Sequence, residues 1–451
     1  MPKRTADRTA LLIIAMILLV AFAFGGGGAR YGLANLAVQL AALGALAARP
    51  DSVAQFWRES PMLLRIAILA SLALPVLQII PLPESVWSAL PGRELVSRSL
   101  ALVGGDGGGE GWRPFSVDPL RTLLALTALI TPVAVLWAGW SLARDRLIDL
   151  GWLVVGFGLF TILLGVAQLG ASTDSATLYG ARNPGAILLG TFANRNSTGL
   201  FLTFALGLAA VLPAPRQHPA LLPARLAVGA LLLLGVVLTQ SRTALVLTLL
   251  PLLLASARAA GWGWGKGGGQ RSKRSGMITT LGAGALLAAG FGTVLVTAPG
   301  RIADTLERFE AKDDARRFMW DDATFIAGRY WPLGAGMGSF DEIYQVDESL
   351  ENLSARRPGR AHNDFLELAI EAGAPGLGLA ALWLVLVGWL SWAARHSPQR
   401  WIAWSGSAFL LAIALQSITD YPLRNQTILA LAGFALLLLA RIATEPRSTR
   451  A

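Results

Sequence analysis

Residues 361–394 read AHNDFLELAIEAGAPGLGLAALWLVLVGWLSWAA. The first part carries His362, Asp364, Glu367 and Glu371. From Ala372 to Ala394 nothing ionisable appears. An apolar run of about 17–25 residues is long enough to cross the hydrocarbon core of a bilayer as a helix. The stretch therefore predicts a transmembrane helix over 365–394 whose entrance is lined with acids and a histidine.

The rest of the chain repeats the apolar part of that pattern. Its 451 residues are 54% hydrophobic and 15% charged, with a mean hydropathy of +0.54. A soluble chain carries about 25% charged residues. The apolar residues come in blocks, so the expected fold class is an all-α polytopic membrane protein with twelve transmembrane helices. The spans lie near 10–25, 31–48, 62–80, 121–142, 147–170, 196–213, 225–241, 243–258, 277–298, 365–394, 401–418 and 426–441. The seventh and eighth are separated only by TQSRT and form a tight hairpin. The run LLIIAMILLVAFAF after Lys3, Arg4 and Arg8 ends without a small-residue cleavage site. Another apolar run follows at once, so it reads as an uncleaved first span. Three parts follow: helices 1–9 over 1–298, with an outer loop near 81–120; a large outer loop over 299–364; and helices 10–12 with a tail over 365–451.

Charge sets the orientation. The net charge of +10 is dispersed between apolar runs, which argues against nucleic acid as a partner. With both termini in the cytoplasm, the basic segments around 144–146, 215–225, 258–276 and 395–400 all fall inside, as the positive-inside rule demands. The glycine-rich stretch 261–269 reads as a cytoplasmic linker, since it lacks Walker spacing and follows no strand. The large outer loop has an amphipathic pattern, with Leu306, Phe309, Phe318, Trp320 and Phe325 suggesting short helices at the membrane surface. The 81–120 segment reads as irregular. The absence of cysteine excludes disulfides and cysteine-bound metal sites.

In this topology the chemically interesting residues converge on the outer face from distant parts of the chain. Arg242 sits in the hairpin turn. Its guanidinium fork suits phosphate oxygens, and its bland reading is an interfacial anchor. Arg316 and Arg317 are phosphate ligands or part of a solvated helix face paired with Asp313, Asp314, Asp321 and Asp322. Of three histidines, only His362 falls outside. A neutral imidazole there is able to accept a proton from a hydroxyl. The alternatives are a helix start capped by Asn363 or Asp364, and a metal site shared with Asp364 and Glu367. Asp420 and Arg424 are site residues or a local salt bridge. Asn194, Arg195 and Asn196 are donors to sugar or phosphate, or caps of the sixth span.

Several stretches together resemble the O-antigen ligase and O-antigen polymerase family of bacterial inner-membrane glycosyltransferases. PLPESVWSALPG, GTFANRNSTGLFL, TQSRTALV, ARRFMWDDATFIAGRYWPLGAGMGSF and AHNDFLELAIEAGAPGLG are similar to family segments in order and placement. The resemblance implies a GT-C-like helical fold in the bacterial inner membrane, with an active site facing the periplasm. It implies transfer of a glycan from a polyprenyl diphosphate carrier, such as undecaprenyl diphosphate, to an acceptor hydroxyl. The acceptor is lipid A core for a ligase, as in lipopolysaccharide biosynthesis, or a second lipid-linked glycan for a polymerase. The stretch DYPLRN resembles exopolysaccharide polymerases. The family's arginines map to Arg242 and Arg316, with Arg317 adjacent, and its histidine to His362. Asn194, Asn196, Asp364, Asp420, Arg424 and Arg317 are the expected substrate-binding residues. No metal and no cofactor are expected. A transporter would place charges at mid-span and repeat its halves, whereas here the ionisable groups stand at span ends.

Overall fold

A computed structural model describes residues 2–102, 111–170, 177–179, 187–213, 221–260, 316–353 and 359–445. The expected ninth span, the glycine-rich linker, Leu306, Phe309, Asp313 and Asp314 lie outside the described residues.

The membrane-embedded part is a bundle of helices: α1 (Pro2–Phe24), α2 (Gly32–Ala48), α3 (Pro50–Glu59) and α4 (Met62–Ile79), then α7 (Pro119–Ala128), α8 (Ile130–Gly139) and α9 (Arg144–Gly170). After these come α10 (Arg195–Val211), α11 (Leu221–Leu238), α12 (Arg242–Leu247) and α13 (Leu249–Ala259). The C-terminal part adds α16 (Asp364–Ala393), α17 (Arg400–Gln416) and α18 (Gln426–Ala443). Among the described residues, seven helical stretches are long and apolar enough to cross a membrane. The number is eight if the pair α2 and α3, bent by 79°, counts as one span. This is the fold of an all-α polytopic membrane protein. Apart from the ninth, each expected span coincides with helix, some of it broken: the fourth is α7 followed by α8, and the eighth is α12 followed by α13.

Burial sorts these helices. Of the apolar window of α18, 89% is buried, against 17% for α16. A helix apolar on all sides and buried on all sides is a central one. α18 is enclosed by α17, α8, α1 and α16, whereas α16 exposes Leu384, Val385, Trp389 and Trp392, the surface a lipid-facing helix presents. The centre is close-packed through small residues. A Cβ on Gly406 of α17 would stand 2.5 Å from the Ala435 carbonyl oxygen of α18. Backbones approach this closely in membrane bundles where small residues face each other.

At one end of the bundle the remaining segments build a cover. The 81–118 segment, expected to be irregular, contains order: β1 (Pro81–Pro83) pairs antiparallel with β2 (Trp112–Pro114), and α5 (Glu84–Trp87) and α6 (Glu94–Leu102) lie between them. Proline-rich ends hid this ladder, because proline lacks the donor a strand normally needs. Buried Arg93 lies 5.4–5.6 Å from the rings of Trp87, Phe115 and Tyr330. Burial pushes its guanidinium down to about 10, with Tyr330 opposing. α14 (Arg316–Tyr330) and α15 (Phe340–Asp347) complete the cover. Ile326, Tyr330, Phe340, Ile343 and Tyr344 form a second small core with Ile370 of α16. The turn between α14 and α15 is stitched to both neighbours, with Val117 N–H donating to Ala335 O and Gly336 N–H to Glu371 O.

Candidate functional site

Four of the helices that begin at this end, α10, α12, α16 and α18, are each capped by a side chain of their own sequence. Asn194 Oδ1 accepts from Asn196 N–H, Ser241 Oγ from Ala244 N–H, Asn363 Oδ1 from Leu366 N–H and Asn425 Oδ1 from Ile428 N–H. Such caps satisfy N–H groups that have no partner within the helix. They also fix where the neighbouring chemical residues stand. Arg242 is the first residue of α12, His362 precedes the Asn363 cap, and Asp420 to Arg424 lie in the turn between α17 and α18.

The first cluster surrounds Asp420. Its carboxylate is 1% exposed and faces His362 Nδ1 at 3.3 Å, while the His362 side chain is 32% exposed. The other carboxylate oxygen accepts from Asn196 Nδ2 at 2.9 Å and Asn194 Nδ2 at 3.3 Å. Asn196 Oδ1 in turn accepts from Ser241 Oγ at 2.7 Å. Thr419 gathers two further elements: its carbonyl accepts from Arg316 Nη1 at 2.9 Å, and its hydroxyl meets Thr243 at 3.4 Å. Arg242 therefore sits between two residues, Ser241 and Thr243, that both join this cluster. Trp320 of α14 donates to Ala361 O at 2.8 Å, so α14 is tied to the turn at Arg316 and to the His362 segment one helical turn later. Arg317 is exposed. The Tyr421 ring packs on His362 with centroids 4.9 Å apart. Burial, with the neighbouring Asp420 charge, pushes its phenol up to about 12.

The backbone here is unusual. Among the described residues, the non-glycine positions with left-handed φ are Gln240 and His362, both at +52°. Each immediately precedes a helix cap of the site. Such conformations persist where surrounding structure over-determines them, and they concentrate at functional sites.

The second cluster is a buried charge lattice behind the first. Arg424 reaches Glu371 at 2.9 Å, Glu367 at 3.0 Å and Asp364 at 3.7 Å. Arg360 reaches Glu367 at 3.2 Å. Burial alone would lower the Arg424 affinity for its proton, but the charges of Glu371, Glu367 and Asp364 outweigh it and raise it above the ordinary value. The local Asp420–Arg424 salt bridge is thus replaced by two longer-range sets: Asp420 turns to His362 and the asparagines, Arg424 to the acids of α16. The physical reason is the short 3-10 turn Pro422–Arg424, which sends the two side chains to different neighbours. Asp364 also accepts from Ser417 Oγ at 3.1 Å, and its N–H donates to Ser417 O at 2.8 Å.

The lattice ends at a break in α16. Gly373 has φ +57°, and Ala374 N–H donates to Pro332 O at 2.8 Å. A Cβ at Gly373 would fall 2.0 Å from that same carbonyl. Only glycine fits there, and the break divides the ionisable first turns of α16 from its apolar remainder.

Sequence reading named His362, Asp420, Asn194, Asn196, Arg316 and Arg242, which the fold brings to one place, and Asp364 and Arg424, which it brings to the lattice. It missed Thr419, Ser241 and Tyr421, which carry no pattern by themselves, and it had no means of pairing Glu367 and Glu371 with Arg424.

Fold and site together define a polytopic membrane protein with a dense cluster of guanidinium, imidazole and carboxylate groups at one end of its bundle. Residues 226–381 match a family model described as O-antigen ligase. Over that stretch the chain is similar to the O-antigen ligase family, in agreement with the motifs of its sequence, and the similarity supports membrane function of the O-antigen ligase or polymerase type. The match contains Arg242, Arg316, Arg317, His362 and the acids of α16, and stops before Asp420 and Arg424. No curated protein matches the chain.

Proposed function

We propose that the chain transfers a glycan from a polyprenyl diphosphate carrier to an acceptor hydroxyl on the periplasmic face of the inner membrane, with lipid A core as acceptor. The observation that carries this reading is the contact between half-exposed His362 and buried Asp420 at 3.3 Å, beside Arg316 and Arg242. In the step, the acceptor oxygen attacks the anomeric carbon and the bond from that carbon to the diphosphate oxygen breaks. His362 takes the hydroxyl proton, and the diphosphate leaves with the bonding pair. Asp420, held by Asn194 and Asn196, orients the imidazole. Arg242 and Arg316 face the growing negative charge, with Arg317 and the asparagines as further donors. Fixed donors aimed at developing charge lower a barrier without reorganisation. Arginine suits this because its planar fork stays charged. A positioned base adds about 10²–10⁴ in rate.

The reading includes the twelve-span, GT-C-like topology with both termini in the cytoplasm. It assigns no metal or cofactor, because the arginines supply the positive charge. Arg424, Asp364 and the α16 acids hold the site together from behind. The test is a surface-glycan gel from a deletion strain. Long polymer stranded on its lipid carrier is the expected result. Core bearing at most one repeat moves the acceptor to a second lipid-linked glycan, as in a polymerase. No change in either contradicts the reading.

A further inference from the structure

We propose that Glu367 is a positioning residue that sets His362 against Asp420. The inference rests on the role of the His362–Asp420 pair proposed above and concerns what holds that pair in register. The two residues belong to different segments, one before α16 and the other between α17 and α18, and neither residue lies in a helix or strand. Their mutual distance has to be fixed by something that touches both.

Glu367 touches both. Its side chain is wholly buried in the first turn of α16. Oε1 accepts the Ala361 N–H at 2.9 Å, and Oε2 accepts Arg360 Nη1 at 3.2 Å. These are the two residues immediately before His362. Oε2 also accepts Arg424 Nη2 at 3.0 Å, and Arg424 ends the turn that carries Asp420. One carboxylate thus holds the His362 segment with one oxygen and shares the other between both segments. The opposite end of the Asp420 turn is held separately, by Asp364 on Ser417. The left-handed backbone at His362 is itself explained by this grip. The chain must reverse between a peptide N–H bound to Glu367 and the Asn363 cap of the same helix, and His362 is the residue between them. Histidine is among the non-glycine residues that adopt this conformation more readily, and the grip selects it here, at φ +52°.

The chemistry asked of Glu367 is charge with a fixed reach. Aspartate keeps the charge and falls short by one methylene. Glutamine keeps the reach, but its amide end turns a donor toward one of the groups Glu367 now accepts from. Misplacement of about 1 Å in a reacting group is enough to cost on the order of 10² in rate. Either change should therefore lower kcat and leave donor KM nearly unchanged, because Glu367 lies behind the pair.

The test uses full-length protein in nanodiscs with a polyprenyl-diphosphate glycan and its acceptor. The variants are Glu367→Gln, Glu367→Asp, Asp420→Asn and the double variant Glu367→Gln/Asp420→Asn, with melting temperatures recorded for all. The expected result is a kcat loss of about tenfold or more for each single variant, and no further loss in the double variant beyond Asp420→Asn. Coupled residues depart from additivity in this way, and independent ones do not. Losses that multiply, or wild-type kcat in Glu367→Gln, overturn the proposal. Should Glu367→Gln fail to fold, Arg360→Met removes one arm of the same grip. Its smaller kcat loss must likewise vanish in the Asp420→Asn background, and a multiplied loss again overturns the proposal. If His362→Ala and Asp420→Asn both turn over at the wild-type rate, the base assignment itself falls and Glu367 has nothing to act through.

Discussion

Asp420 and Arg424 stand four residues apart with opposite charges, the arrangement that suggests a local bridge, and the fold separates them. Sequence spacing measures reach along a helix, but the 3-10 turn at Pro422–Arg424 sends each side chain elsewhere. The consequence differs for the two. Arg424 is shared by three carboxylates of α16, so Arg424→Ala strips that cation from three buried acids and leaves Glu367 with Arg360. Removing one partner of a buried pair costs about 3–5 kcal/mol, and thermal unfolding in detergent should show Arg424→Ala among the least stable variants. Asp420→Asn keeps shape and much of its hydrogen bonding, and should change melting little while lowering transfer. For the arginines of the proposed site, charge and fork separate by substitution. Arg242→Lys and Arg316→Lys keep the charge and should still lose most activity, and Arg317→Ala should be milder than Arg316→Ala. Equal tolerance of lysine at both positions would leave only a general positive field.

At the scale of helices, the starts were legible and the breaks were not. Asn194 and Asn363 each precede an apolar run, and a small polar residue there is the signal of a helix start. Each of them caps. Asn363→Ala should therefore destabilise by about 0.5–2 kcal/mol, with Asn363→Asp avoiding most of that loss, as read from melting temperatures. An unchanged melting temperature for Asn363→Ala would mean that α16 is held by packing alone. The break at Gly373 escaped sequence reading, since AGAPGLG offers three glycines and one proline and only the Pro332 carbonyl decides among them. The β1–β2 ladder escaped for the opposite reason: its proline-bounded strands look like loop. The bent pair α2 and α3 escaped because Arg49 and Pro50 read as an ordinary end of span.

At the scale of the whole molecule, hydropathy and charge asymmetry made the membrane class legible, and the convergence of distant residues came from the family resemblance and the assumed orientation. The contacts that join Asn196, Ser241, His362 and Asp420 lie far apart in sequence, and no periodicity encodes them. The orientation has its own check. A reporter fused after Gly265 should be active only in its cytoplasmic form, as the basic segments around it require, and activity only in the periplasm would reverse the topology. Activity should also survive EDTA, because Arg242 and Arg316 carry the positive charge. Restoration of EDTA-killed activity by one specific divalent metal would reassign His362, Asp364 and Glu367. The central claim is that this end of the bundle performs base-assisted transfer from a lipid diphosphate, and the rate of His362→Ala tests it most directly. Purified wild-type and variant protein would be compared for binding of a polyprenyl-diphosphate glycan and for its transfer to acceptor. The account predicts unchanged binding and transfer slowed by about 10²-fold or more, with His362→Gln no faster. Wild-type turnover in well-expressed His362→Ala would contradict it.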